Sequence, residues 1–211
     1  MYSVVKRFFD FILALIGIVV LAPVFIIIMI CIKLDSKGSI FFTQKRVGRN
    51  KTYFNIYKFR TMKTDAPKNT PTHLLKNPDQ YITRVGKFLR KTSLDELPQI
   101  FNILAGSMAV IGPRPALWNQ YDLIAERDLY NANDIRPGLT GWAQINGRDT
   151  VTIEDKASYD GYYYRNMGIV LDLRCFIGTI VCVLSRTGVV EGMIEEKGPS
   201  KQLSGKIKEN V

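Results

Sequence analysis

The stretch Phe11-Ile12-Leu13-Ala14-Leu15-Ile16-Gly17-Ile18-Val19-Val20-Leu21-Ala22-Pro23-Val24-Phe25-Ile26-Ile27-Ile28-Met29-Ile30-Cys31-Ile32 carries no charged side chain. About 20 apolar residues in a row are enough for a helix to span a hydrocarbon core. The run is too long for the apolar part of a cleavable signal peptide, and no small-residue cleavage site follows it. Its flanks raise a topological question. Lys6 and Arg7 precede it, and Lys33, Lys37, Lys45, Arg46, Arg49 and Lys51 follow it. Both flanks favour the cytoplasmic side, and one straight crossing cannot satisfy both. Pro23 removes the hydrogen bond to the carbonyl of Val19 and bends the helix there. Two readings fit these residues. One is a Pro-kinked transmembrane helix. The other is a helix broken at Ala22-Pro23 that enters and leaves by one face, its freed carbonyls satisfied by protein or water.

The rest of the chain bounds the partners. Its 211 residues fit one domain with an appended membrane segment. The net charge of +10 calls for an anionic partner: nucleic acid, a phosphorylated small molecule or an anionic leaflet. Composition alone does not choose among them. The 3 cysteines have no zinc-site spacing and fit a reducing compartment. The single histidine, His73, stands in a Pro/Asn/Thr-rich stretch and reads as a solvated loop residue.

Beyond the apolar run, Ser39–Thr43 and Tyr53–Arg60 are rich in aromatic and β-branched residues, with Gly48-Arg49-Asn50 as the turn between them. Lys58 and Arg60 are two apart and so share a strand face. Thr64–Gln80 reads as a loop, and Tyr81–Lys91 has helical spacing. Pro98–Leu104 continues as a short helix with Gly106 as its C-cap. Met108–Ile111 is a short apolar segment leading into Gly112-Pro113-Arg114-Pro115. Ala116–Asn131, Thr152–Asn166 and Gly168–Arg186 are predicted helices, the last one either a core helix or one lying in the membrane interface. Arg136–Arg148 is Gly-rich and irregular.

The sharpest chemical feature is Thr92-Ser93-Leu94-Asp95-Glu96-Leu97-Pro98. Two carboxylates at a helix start sit where the dipole and free N–H groups favour anions. Asp95 would then stay ionised, as a nucleophile or metal ligand must. Ser93-x-x-Glu96 also matches a capping box, which explains the same residues without chemistry. Arg114, between Pro113 and Pro115, is preset for bidentate phosphate binding; the alternative is an ordinary turn arginine. Arg90 lies just before the carboxylates. Arg136 and Arg148 stand beside glycines, where backbone approaches a ligand closely. Lys58 and Arg60 either line a phosphate site or reach toward lipid headgroups. Tyr159, Tyr162, Tyr163 and Tyr164 fit an interfacial belt or core better than a sugar platform. An aspartate can attack phosphorus to form an acyl phosphate, and a divalent cation would offset the charge on the transferred group.

Several motifs in series resemble the bacterial sugar transferase family, the monotopic polyprenyl-phosphate phosphoglycosyl transferases. They are Lys6-Arg7-x-x-Asp10, Lys58-Phe59-Arg60-Thr61-Met62, Ser93-Leu94-Asp95-Glu96-Leu97-Pro98-Gln99, Ile111-Gly112-Pro113-Arg114-Pro115, Arg136-Pro137-Gly138-Leu139-Thr140-Gly141 and Gln144-Ile145-Asn146-Gly147-Arg148. The length is similar to that of the small members, such as bacillosaminyl phosphotransferases. The resemblance implies an α/β fold, mostly helical, with a small antiparallel hairpin and interfacial helices. It implies a re-entrant membrane helix over 1–34, a catalytic domain over 35–192 on the cytoplasmic face of the bacterial inner membrane, and a polar tail over 193–211. The implied reaction moves a sugar phosphate from a UDP-sugar to polyprenyl phosphate, with Asp95 as nucleophile and UMP released. Glu96, with Asp95, would associate with Mg2+. Arg90 and Arg114, with Lys58, Arg60, Arg136 and Arg148, would contact phosphate or substrate. Ala22-Pro23 matches the helix break, although many members carry Ser where this chain has Ala22. Membrane lipids are implied partners and nucleic acid is not; an oligomer stays open. Two competing classes use the same residues: a metal-dependent membrane phosphohydrolase, with water as acceptor, and a non-catalytic basic membrane adaptor, in which Asp95 is dispensable.

Overall fold

The computed structural model describes residues 2–67, 77–147 and 151–185. His73, Arg148 and the tail over 193–211 lie outside the described residues. Helix α1 (Tyr2–Asp35) takes in the whole apolar run, with Pro23 inside it rather than at an end. Only 17% of its most apolar 18-residue window is buried. A core helix of a soluble domain would be mostly covered, so α1 is suited to face lipid. Its inward side (Ala14, Phe25, Ile28 and Ile32) packs on the rest of the chain, while Phe8, Ile16, Val19, Val20 and Ile27 stand exposed. Both ends are tied down. Near the start, Tyr2 Oη and Lys6 Nζ donate to Asp172 at 2.8 and 2.6 Å, and Asp10 accepts from Val110 N–H at 3.1 Å. At the far end, Asp35 accepts from Val85 N–H at 3.1 Å.

Strands β1 (Phe41–Val47) and β2 (Tyr53–Phe59) form the expected antiparallel hairpin. Strand β1 starts later and runs further than Ser39–Thr43, because pairing persists to Val47 opposite Tyr53. The buried Phe59 stacks on Phe41 and packs against Phe25 of α1, joining hairpin and membrane helix in one core cluster. Helix α2 (Arg84–Lys91) is shorter than Tyr81–Lys91: Thr83 caps it, accepting from Gly86 N–H at 3.0 Å, and Ile82 pairs with Met62 instead. Helix α3 (Gln99–Ala105) ends at Gly106, whose φ of 88° makes it the left-handed C-cap the sequence predicts.

One element has no counterpart in the sequence reading. Strand β3 (Ala109–Ile111) pairs in parallel with β4 (Gly138–Thr140). Three-residue strands are too short to show a period. Glycine permits their contact with the loop that follows β3: a Cβ on Gly138 would stand 2.1 Å from Gly112 N, and one on Gly141 2.1 Å from Gly112 O. Helix α4 (Tyr121–Asp128) is shorter than Ala116–Asn131, because Ala116 and Leu117 join the hairpin edge, with Val47 N–H donating to Ala116 O at 2.9 Å. Helices α5 (Trp142–Ile145), α6 (Ile153–Asn166) and α7 (Ile169–Ser185) complete the described chain. Tyr163 is core and Tyr162 stacks on Trp142. Helix α7 exposes Ile169, Val170, Leu173, Phe176, Ile177 and Ile180, a second apolar surface beside α1, to which Asp172 binds it.

Beneath the loop after β3 lies a buried ion pair. Arg127 donates from Nη2 and Nε to Asp160 Oδ2 at 2.6 and 2.8 Å, with the side chains 4% and 1% exposed. Breaking such a pair leaves an uncompensated buried charge, at a cost of roughly 3–5 kcal/mol. Asp160→Ala should lose about that much unfolding free energy, and adding Arg127→Met should recover part of it. Denaturant unfolding in detergent micelles measures both. A single-variant loss of under about 1 kcal/mol, the scale of a surface pair, would show that the pair is dispensable.

Candidate active site

Asp95 and Glu96 are not held as a helix N-terminus of the ordinary kind. Helix α2 ends at Thr92, and Ser93 turns the chain in the left-handed region, φ 57°. A single 3-10 turn, Leu94–Glu96, then carries both carboxylates before α3 begins. Ser93 makes no side-chain cap, so the capping box does not form. Leu94 and Leu97 on either side pack into the core with Phe25 and Phe59, which fixes the direction of the two acids.

Glu96 is gripped. Its Oε1 accepts from Lys58 Nζ and from Arg114 Nη2, both at 2.6 Å, and its Oε2 from Arg114 Nη1 at 3.2 Å. Burial works against its charge, but Arg114 and Lys58 outweigh burial and hold the carboxyl well below the usual range. Asp95 differs. Lys58 Nζ lies 3.9 Å from its Oδ2, beyond hydrogen-bonding distance, and among the described residues no hydrogen bond reaches its carboxylate. Burial pushes its carboxyl up, Lys58 opposes that, and the charge of Glu96 adds to the rise. Asp95 is therefore the more easily protonated acid of the pair, a departure from the ionised group that a helix N-terminus alone would give.

The surrounding elements explain the placement. Lys58 comes from β2 and Arg90 from the last turn of α2, and Arg90 also acts on the charge of Asp95. Arg114 is fixed through its backbone as well as by its prolines. Arg127 Nη2 donates to Arg114 O at 3.0 Å, Arg46 Nη1 to Pro115 O at 3.0 Å, and Gly138 N–H to Pro113 O at 2.8 Å. Asp95 opens on a cavity of about 270 Å³ whose walls include Phe41, Phe42, Arg46, Lys58 and Arg90.

Other expected residues are placed elsewhere. Arg60 borders the same cavity, but its guanidinium donates to the carbonyls of Ser36 and Lys37 and to Ser36 Oγ, closing the C-terminal end of α1. Arg136 turns from the carboxylates toward the end of α3, where Nε donates to Gly106 O at 2.9 Å. Two features escape the sequence reading. Arg46 is half-buried against Arg114 and Glu96; the burial of its guanidinium first, and then Arg114, push it down to about 9. Strand alternation could have found it, because Arg46 shares the inward face of β1 with Phe42 and Gln44. The Arg127–Asp160 pair, which holds Arg114 from behind, joins two helices and has no local signal.

A half-buried acid pair among cations, carried on a mostly helical domain that is packed along a long apolar helix, is the candidate active site. Residues 1–186 match the family model described as bacterial sugar transferase, and the chain belongs to that family. It is 38% identical over 192 residues to a UDP-glucose:undecaprenyl-phosphate glucose-1-phosphate transferase of Xanthomonas campestris pv. campestris, covering 88% of this chain and 40% of the relative. It is 37% identical over 199 residues to the exopolysaccharide production protein ExoY of Sinorhizobium fredii, covering 86% of each. To a UDP-N-acetylgalactosamine-undecaprenyl-phosphate N-acetylgalactosaminephosphotransferase of Aeromonas hydrophila it is 36% identical, covering 89% of this chain and 45% of the relative. The chain thus spans less than half the length of the first and third of these relatives.

Lys58 is the strongest charge opposing the rise at Asp95. Lys58→Met should therefore move the titration of Asp95 to higher pH. Carboxyl 13C NMR with labelled aspartate reads the midpoint, and an unchanged midpoint would mean that Lys58 does not act on this acid.

Proposed function

We propose that this chain transfers a sugar 1-phosphate from a UDP-sugar to polyprenyl phosphate, undecaprenyl phosphate in bacteria, releasing UMP through a covalent phosphosugar on Asp95. The observation that carries this reading is the unequal treatment of two adjacent carboxylates. Glu96 has its charge cancelled by Arg114 and Lys58, whereas Asp95 faces the cavity with no hydrogen bond from the described residues. Lone pairs left without donors are free for attack on phosphorus, and a raised basicity strengthens the attacking oxygen. Lys58, Arg90, Arg114 and Arg46 bring four cations around the two carboxylates, a setting suited to phosphate oxygens.

In the first half-reaction an Asp95 oxygen bonds to the β-phosphorus, the bond to the bridging oxygen breaks, and UMP leaves. In the second, an oxygen of polyprenyl phosphate bonds to the same phosphorus and the Asp95–phosphorus bond breaks. That yields the lipid diphosphosugar and restores the carboxylate. Asp95 and Glu96 fit Mg2+ as hard oxygen donors: Glu96 Oε2 carries only the 3.2 Å bond from Arg114, and Mg2+ usually takes one or two carboxylates together with substrate phosphates. Bound there, it would offset charge on the transferring phosphoryl group. The names of the relatives above support undecaprenyl phosphate as acceptor, and their different sugars leave the sugar of this chain open.

Asp95→Asn should abolish UMP release while the protein still folds, since an amide does not attack phosphorus. Wild-type protein with a UDP-sugar and no lipid should show a phosphosugar adduct by native mass spectrometry. Turnover by the Asn variant near the wild-type rate would remove the covalent route. Free sugar phosphate formed without lipid would point to a hydrolase.

This reading places the catalytic domain on the cytoplasmic face, with α1 entering and leaving the membrane on that side. At about 1.5 Å per residue, the 34 residues of α1 extend about 50 Å. Yet Lys6 and Asp10 near one end and Asp35 at the other all bond to the same domain. Ends tied to one domain support an arrangement in which both lie on the same side of the bilayer. A cysteine introduced as Ser3→Cys should stay unlabelled by a membrane-impermeant reagent in intact cells, and Pro23→Leu should favour a full span. Labelling of the otherwise wild-type chain from outside would exclude the re-entrant arrangement.

A further inference from the structure

Three arginines from separate elements meet at the end of α3, away from the acid pair. Arg7 comes from α1, Arg49 from the hairpin turn and Arg136 from the segment entering β4. Their hydrogen bonds go to neutral backbone oxygens. Arg7 Nη1 and Nη2 donate to Ile103 O and Leu104 O at 2.6 and 2.9 Å. Arg136 Nε donates to Gly106 O at 2.9 Å, and Arg49 Nε to Asp134 O at 3.0 Å. Among the described residues no carboxylate pairs with any of the three. Asp10, the acid lining the same space, is taken by Val110 N–H and has Lys6 at 3.8 Å. The guanidiniums also repel: burial, then Arg49, then Arg7 push Arg136 below its ordinary value, with Asp10 opposing them less strongly. Carbonyls at a helix end explain one bond per arginine or two. They leave most of the five donors of each fork unexplained.

Space for a ligand is present. A cavity of about 280 Å³ is lined by Arg49, Asn50, Thr52, Gly106, Ser107 and Arg136. A smaller one of about 60 Å³ shares Arg49 and Arg136 and adds Arg7 and Lys6. Gly106 keeps the approach open, since a Cβ there would stand 3.2 Å from Arg7 Nη2. The turn that presents Arg49 holds Asn50 and Lys51 at φ 53° and 58°, a conformation normally given to glycine at its second position.

The cluster borders the lipid-facing helix. Phe8 and Phe11 beside Arg7 are 63% and 41% exposed, and Arg7 Cζ lies 5.9 Å from the Phe11 ring centroid. The phosphates nearest such a place belong to the bilayer. We propose that Arg7, Arg49 and Arg136 form a binding site for the phosphate of an anionic phospholipid head group, distinct from the site at Asp95. Three forks, none bonded to a carboxylate and with Asp10 the one acid lining the smaller cavity, suit a phosphate with net negative charge, and a zwitterionic lipid would bring its own cation into an already positive site.

The test is lipid binding by the full chain in detergent, read by native mass spectrometry and needing no turnover. Short-chain phosphatidylglycerol should bind with one tight site per chain and phosphatidylcholine more weakly. Arg49→Gln, an exposed turn position, and Arg136→Gln should each weaken phosphatidylglycerol at least tenfold. Inorganic phosphate at high concentration should compete. Arg7→Gln is the harsher change because Arg7 also caps α3, so Arg49→Gln and Arg136→Gln are the deciding variants. Equal binding of phosphatidylglycerol by wild type and both of these variants would overturn the proposal. Arginine-dependent binding of inorganic phosphate with no response to phosphatidylglycerol would make this a soluble-anion site and overturn the lipid assignment. Since an Asp95→Asn background should bind lipid equally, failure here and failure of the transferase reading are separable.

Discussion

The clamp of Arg114 and Lys58 on Glu96 is the interaction on which the site depends. A buried carboxylate is tolerable only when its charge is matched by close, well-directed donors. Two cations at 2.6 Å on one oxygen supply that. The clamp joins three parts of the chain that are distant in sequence: β2, the turn before α3 and the loop after β3. It also frees Asp95. If Lys58 sat centrally between the two acids, both would be half-engaged. Its preference for Glu96 leaves Asp95 charged against burial with only long-range support. Burial is the main reason the charged form at Asp95 is disfavoured, and the retained charge of Glu96 adds to it.

That clamp in turn needs backbones to touch. Arg114 reaches Glu96 because the loop Gly112–Pro115 lies directly against β4, and side chains at Gly112, Gly138 or Gly141 would hold the two apart. The prolines limit the loop's conformations, but position comes from the carbonyl bonds of Arg127, Arg46 and Gly138 to Arg114, Pro115 and Pro113. The Gly-rich segments therefore serve packing here, and one of their arginines, Arg136, points to another place.

What the sequence reveals follows from the range of each signal. The lipid-facing helix, the hairpin with its turn, the Gly106 cap and the acid pair are local: a run, an alternation, a residue type at a helix end. They are legible. The parallel β3–β4 pair is not, because its strands hold only three residues each. Nor is the half-buried Arg46 read from the chain, although alternation along β1 carries the clue. The capping-box alternative for Ser93-x-x-Glu96 is sound locally and fails for a non-local reason: Ser93 takes a left-handed conformation while Arg114 and Lys58 claim the glutamate. Lys58 and Arg60, alike by spacing, part company because the strand ends between them, and Arg60 then closes the end of α1.

The net charge of +10 can be followed to its uses. Arg60 and Arg7 answer carbonyls at the ends of α1 and α3, where a helix dipole favours a cation. Arg127 cancels a buried acid to hold a loop. Lys58, Arg90, Arg114 and Arg46 surround two carboxylates. Arg49 and Arg136, with Arg7, gather where no carboxylate among the described residues bonds to them and Asp10 opposes their repulsion only at a distance. Arg7 stands in both the first and the last, so the residue that fixes α1 against α3 also stands beside the exposed Phe8 and Phe11. The basic excess of this chain is therefore not one diffuse positive surface: among the described residues it is divided between helix ends, a buried strut and two concave clusters.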